Sequence, residues 1–126
     1  LVLAKKCVEK DSLYGISCFM TWIVVALDKR VDDELAALPV DIQARYSRIS
    51  EIISTYGIDR VREPYVKHLE GKLWEMRMKG KDGIARAIYV TAQEKRVVVL
   101  RVFVKKTQKT PHRELEIARQ RMKEVL

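Results

Sequence analysis

Two polar turns of four residues each, GKDG at 80–83 and AQEK at 92–95, separate three strand-like runs between Lys72 and Lys106. Turns this short join antiparallel neighbours, because a parallel pair needs a crossover of a dozen or more residues. The runs are KLWEMRMK (72–79), IARAIYVT (84–91) and RVVVLRVFVKK (96–106). Alternation in the first sets Leu73, Glu75, Arg77 and Lys79 on one face and Trp74, Met76 and Met78 on the other, which is read as the core face. The third is apolar on both faces, as befits a covered central strand. A three-stranded meander is therefore expected, and the flanking segments must cover it.

Upstream, TWIVVALD (21–28) is short, β-branched and aromatic, and reads as a first strand. In VDDELAAL, Val31, Leu35 and Leu38 stand at helical spacing, with acids in the first turn where the helix dipole favours them. Pro39 stops this helix. A second is expected from about Asp41, its apolar stripe made by Ile42, Tyr46, Ile49, Ile53 and Tyr56, and Gly57 ends it. Residues 58–71 read as a loop containing Pro64. A last helix is expected from Thr110 as N-cap and Pro111 as first helical residue, with Leu115, Ala118, Met122 and Val125 buried. The order strand, helix, helix, meander, helix is that of an α+β sandwich. A chain of 126 residues suits one domain with one modest core. Residues 1–19 lack a clean period and are expected to form a leader or extension outside a domain at 20–126, loosely tied to its core.

Charge narrows the partners. Residues 1–71 carry 10 Lys+Arg and 11 Asp+Glu; residues 72–126 carry 15 and 6. The net +8 therefore comes wholly from the C-terminal part, where it attracts polyanions, unless the lysines are only a solvated face. No apolar run approaches the roughly 18 residues of a membrane span. Cys7 and Cys18 both precede Met20, which leaves the body without a disulfide framework and fits a reducing cytoplasm. His68 and His112 alone cannot make a histidine zinc cluster.

The cations gather at one corner. Arg77 points away from the Met76 and Met78 face. Arg86 stands mid-strand between Ala85 and Ala87, where it needs a carboxylate, a carbonyl or a ligand; Glu75 on the neighbouring strand is the structural alternative to a substrate. Arg101 interrupts VVVLRVFV, and a glutamate or solvent would satisfy it. Lys105 and Lys106 end the third strand, and four residues on a helix begins whose free N–H groups favour an anion. His112 falls in its first turn, where the dipole and the nearby lysines disfavour the imidazolium and leave the ring able to take a proton. Cleavage of RNA by its own 2′-hydroxyl asks for such a set: cations on the phosphate and an acid or base beside the reacting oxygens, without a protein nucleophile. A surface histidine beside solvated lysines remains the plainer alternative.

The segments PVDIQARYSRISEIISTYG, LEGKLWEMRMKGKDGIARAIYV and VFVKKTQKTPHRELEIARQRM make residues 20–126 similar to the HigB-like, phage-derived branch of the RelE/ParE toxin superfamily. The resemblance implies a RelE-like microbial-RNase-type fold, a small mainly antiparallel sheet with two N-terminal helices and a C-terminal helix. It implies a toxin of a type II toxin–antitoxin pair, cytoplasmic, cleaving mRNA on the ribosome with no cofactor and no metal. The implied partners are mRNA, ribosomal RNA and an antitoxin with a helix-turn-helix domain. Carried over by position, Arg77, Arg86, Lys106 and His112 are the implied catalytic residues. Lys79, Lys81, Lys105, Lys109 and Arg113 are the basic neighbours for the RNA or ribosome backbone. The same fold also suits a ParE-like inhibitor of DNA gyrase or a non-catalytic nucleic-acid-binding module.

Overall fold

The computed structural model describes residues 22–61, 65–81, 83–105 and 110–125, with Lys105 described by its backbone alone. In chain order the elements are β1 (Ile23–Ala26), α1 (Lys29–Ala36), α2 (Val40–Tyr56), a 3₁₀ turn (Ile58–Arg60), β2 (Val66–Glu70), β3 (Leu73–Lys79), β4 (Ile84–Ala92), β5 (Arg96–Lys105) and α3 (His112–Met122). The expected leader at 1–19, and the site residues Lys106 and Lys109, lie outside the described residues.

The meander is β3–β4–β5, with antiparallel ladders throughout. The sheet holds five strands in the order β1-β5-β4-β3-β2, and β1 runs parallel to β5. The architecture is the expected α+β sandwich with one strand more. Strand β2 falls where a loop was expected. Only Val66 of VKHLE is buried, so this edge strand carries almost no apolar pattern to read.

Each face of the sheet has its own core. One packs Val31 of α1 and Ile42, Ile49 and Ile53 of α2 against Met76, Met78, Ala87, Tyr89, Val97 and Val99. The other packs Ala118, Leu115 and Met122 of α3 against Leu73, Ile88, Val90, Val98 and Leu100. Two core readings need correction: Tyr56 of the helix stripe is 66% exposed at the last residue of α2, and Trp74 of the β3 core face is 38% exposed at a cleft. No described helix is long and apolar enough to cross a membrane.

A bulge in β5 decides where Arg101 points. Val99 pairs with Tyr89 and Arg101 with Ile88, so Leu100 is an extra residue, and Leu100 and Arg101 both fall on the α3 side. There Arg101 Nε meets Glu114 at 3.0 Å, and its NH1 meets Glu34 at 2.7 Å.

The β3–β4 turn is clamped to the start of α2. The Lys81 N–H donates to Asp41 Oδ2 at 2.5 Å, so Asp41, expected as a cap, serves a turn 40 residues away while Pro39 takes the cap position. A Cβ on Gly80 would lie 2.4 Å from Ile42 Cγ1 and 2.8 Å from Asp41 Oδ2. Gly80→Ala is therefore expected to lower stability by about 1–3 kcal/mol through overpacking, read as a fall in the thermal midpoint. Gly83→Ala, which meets nothing within 4 Å, serves as the control.

Candidate active site

The β3–β4 ladder sets Arg77 directly across from Arg86. Cross-strand partners share a face, so two guanidinium groups stand side by side on the α3 side of the sheet. Glu75 lies two residues back on β3, on that same face. Like charges so placed repel, and the structure offsets this with one carboxylate. Arg86 NH1 donates to Glu75 Oε1 at 2.5 Å, and Arg77 Nε lies 3.6 Å from the same oxygen.

The third member comes from the approach to α3. Thr110 Oγ1 donates to Glu75 Oε2 at 2.5 Å and accepts from Arg86 NH1 at 3.1 Å. The helix starts one residue later than expected, with Pro111 as N-cap and His112 as first helical residue. The Thr110 hydroxyl is therefore not the cap. It pins the entry of α3 to the centre of the sheet instead.

Burial divides the cations. Glu75 is fully buried and Arg86 is 2% exposed, so the Arg86 head is turned inward onto Glu75 and Thr110, the structural alternative weighed for it. Arg77 is 33% exposed, while its Nε is buried and makes no hydrogen bond. The outer end of that guanidinium is what the face presents to solvent. Lys79 is exposed one step further along β3 on the same face, and by backbone register it, Ile84 and Lys105 lie in one row. Lys81 is exposed in the turn held by Asp41.

At the helix start, His112 and Arg113 are both exposed. The surroundings of His112 include carboxylates. Arg119 holds the Glu70 carboxyl below its usual range, and His112 adds to that lowering. Glu116, one turn along from His112, is held down by Gln120 and Arg119, with a further contribution from His112. Among the described residues the structure thus gathers Arg77, Arg86, Glu75 and Thr110 into one contact set, with His112 and Arg113 at the adjoining helix start. The sequence offered Glu75 as the partner of Arg86, as found, and Thr110 only as a helix cap; neither was expected as a site member. A glutamate two positions from one arginine and diagonal to a second was the available signal for Glu75. No pattern marked Thr110, whose T-P setting suits a cap equally well.

The sequence profile of the phage-derived Gp49-like proteins matches residues 33–123. The chain belongs to this family. A solved structure described as an archaeal RelE-RelB complex from Pyrococcus horikoshii OT3 has a chain similar to this one, with 27% identity and a TM-score of 0.50. The alignment covers 68% of this chain and 96% of the archaeal one. No curated protein matches the sequence. The Gp49-like family and the RelE-type fold place the protein in the RelE/ParE toxin superfamily.

Proposed function

We propose that this Gp49-like protein is the toxin of a type II toxin–antitoxin pair and a HigB-like, ribosome-dependent endoribonuclease. The observation that carries the reading is the guanidinium of Arg77, anchored over buried Glu75 beside Arg86, with its outer end open to solvent next to the start of α3. An anchored cation of this kind loses little freedom on meeting a phosphate, and an Arg fork suits phosphate oxygens.

In the proposed step the 2′-oxygen of the substrate attacks the adjacent phosphorus. The P–O2′ bond forms, the P–O5′ bond breaks, and a 2′,3′-cyclic phosphate is left. Arg77 offsets the charge growing on the phosphoryl oxygens. Arg86 acts through Glu75, or directly where a phosphate takes the place of that carboxylate. His112 exchanges a proton with the attacking or leaving oxygen, and Lys106 is assigned the second oxygen. No step is assigned to a metal. Lys79, Lys81, Lys105, Lys109 and Arg113 are assigned to the RNA or ribosome backbone. The partner of the archaeal RelE in its complex supports an antitoxin for this chain as well, with a helix-turn-helix domain proposed for it.

Transcripts mapped after brief induction in cells are expected to show cuts in phase with codons. Arg77→Ala is expected to reduce cutting about 10²–10³-fold, as loss of a charge-stabilising donor does. His112→Ala is expected to do so comparably. Both positions are open enough for the fold to survive. Intact transcripts together with gyrase-linked DNA breaks would replace this reading by the ParE-like one. One observation favours such a non-cleaving reading: Arg86 NH1 is already engaged by Glu75 and Thr110, and an inhibitor or plain binding module needs no spare cation there.

A further inference from the structure

On the opposite face of the sheet from Arg77, a cleft of about 800 Å³ opens between the 3₁₀ turn and strands β2, β3 and β4. This volume lies within the range of small-ligand sites. Both tryptophans of the chain, Trp22 and Trp74, line the cleft. Each is held by a neighbour. Trp22 packs on Gly57, where a Cβ would lie 3.4 Å from the indole. The Trp74 and His68 rings form a T-shaped contact at a centroid distance of 5.0 Å and an angle of 67°. Trp74 stays 38% exposed although Met76 and Met78, on the same side of the same strand, are fully buried.

The remaining lining sets polar groups among Ile58, Val61 and Val66. Thr91 is exposed and supplies a hydroxyl, and Tyr89 lines the cleft while almost fully buried. Burial pushes the Tyr89 phenol well above its usual range, so the hydroxyl keeps its proton and can donate. Lys67 borders the mouth and is exposed. Asp59 also borders it and is already engaged with another group. An aliphatic occupant would leave two hydroxyls and a cation unused. A flat heterocycle with edge donors and acceptors and an attached phosphate uses them all, and its charge complements the net +8 of the chain.

We propose that this cleft binds a nucleobase: the ring stacks on the indoles of Trp22 and Trp74, its edge meets the hydroxyls of Thr91 and Tyr89, and its phosphate meets Lys67. Lys67 is the register partner of Glu75, on the face opposite the cleft, so it borders the mouth from the β2 edge of the sheet. The assignment does not rest on RNA cleavage, because a base held here would serve a nuclease or a plain binder alike.

Because both tryptophans of the chain line the cleft, their fluorescence reports it. The full chain is titrated with adenosine monophosphate, with ribose 5-phosphate and with a short single-stranded RNA. Saturable quenching by the nucleotide or the RNA, and none by ribose 5-phosphate, is expected. Lys67→Glu and Thr91→Val, both surface changes, should each weaken the quenching ligand roughly fivefold, the scale of one polar contact. Tighter binding of RNA than of the mononucleotide, with the same loss in both variants, makes a polynucleotide the occupant; equal affinities make it a free nucleotide. Quenching that never saturates, that ribose 5-phosphate reproduces, or that both variants leave unchanged overturns the proposal. Transcript cleavage is not part of this readout, so the two proposals fail separately.

Discussion

Glu75→Ala is expected to lower stability by about 3–5 kcal/mol, the cost of removing one partner from a buried charge pair. The variant leaves Arg86, 2% exposed, facing the space its carboxylate occupied, and leaves the Thr110 hydroxyl without its acceptor. Since whole domains are stable by only about 5–15 kcal/mol, the midpoint in thermal melting should drop by roughly 10–25 °C. The sign reverses when Glu75, Arg86 and Thr110 are made apolar together. Glu75→Leu combined with Arg86→Met and Thr110→Val removes both charges and both hydroxyl bonds together. Such exchanges are often neutral or stabilising, because the desolvation cost of the pair disappears with its attraction. The triple variant should therefore melt within a few degrees of the parent, or above it. A mild effect of Glu75→Ala alone would show that the cluster is not what secures the entry of α3. A folded triple variant also isolates the chemistry. If it still cuts transcripts in phase with codons, Arg86 is a brace for the site; if cutting is lost with the fold intact, Arg86 belongs to the phosphate-binding set.

That cluster shows how far sequence patterns reach. The meander, the two N-terminal helices and the last helix follow from turn length and apolar period, and those are local properties. Alternation in β3 correctly set Arg77 apart from Met76 and Met78. It could not say that the face bearing Leu73 and Glu75 is buried as well, because that depends on α3, which arrives more than thirty residues later. The same distance hid Thr110. Its hydroxyl serves a carboxylate 35 positions away rather than the helix it precedes. Strand β2 was missed for the opposite reason: edge pairing uses backbone groups, and its side chains are mostly outside the core. The cations were legible as a group, since charge needs no geometry to be counted. Their division into a buried guanidinium at Arg86 and a presented one at Arg77 was not, because exposure is decided by what packs above each side chain.

Glu34 should prove the second most costly side chain to remove. It lies on α1, yet Oε2 receives Arg101 NH1 at 2.7 Å and Arg121 NH1 at 2.9 Å, while Oε1 accepts the Val102 N–H at 3.0 Å. The position of that N–H explains the arrangement. β1 pairs with β5 only as far as Val99, so Val102, paired with Ala87 of β4 on one side, has no strand on the other, and the Glu34 carboxylate takes the place of one. Burial works to lower the Arg101 pKa, but its bonds to Glu114 and Glu34 outweigh this and leave it raised. Glu34→Ala strands a backbone donor and removes a charge shared by two arginines, which retain Glu114 and the Leu100 carbonyl respectively. The expected loss is about 2–4 kcal/mol, below that of Glu75→Ala because these partners survive. Glu34→Gln keeps an acceptor for Val102 but gives up the charge and the oxygen that accepts from the two arginines, so it should lose roughly half as much. Hydrogen exchange can separate the two contributions. In the alanine variant the Val102 amide should lose protection before the centre of β4 does, whereas in the glutamine variant it should hold. Equal melting points for the two variants would mean that charge, and not the unpaired edge of β5, is what Glu34 supplies.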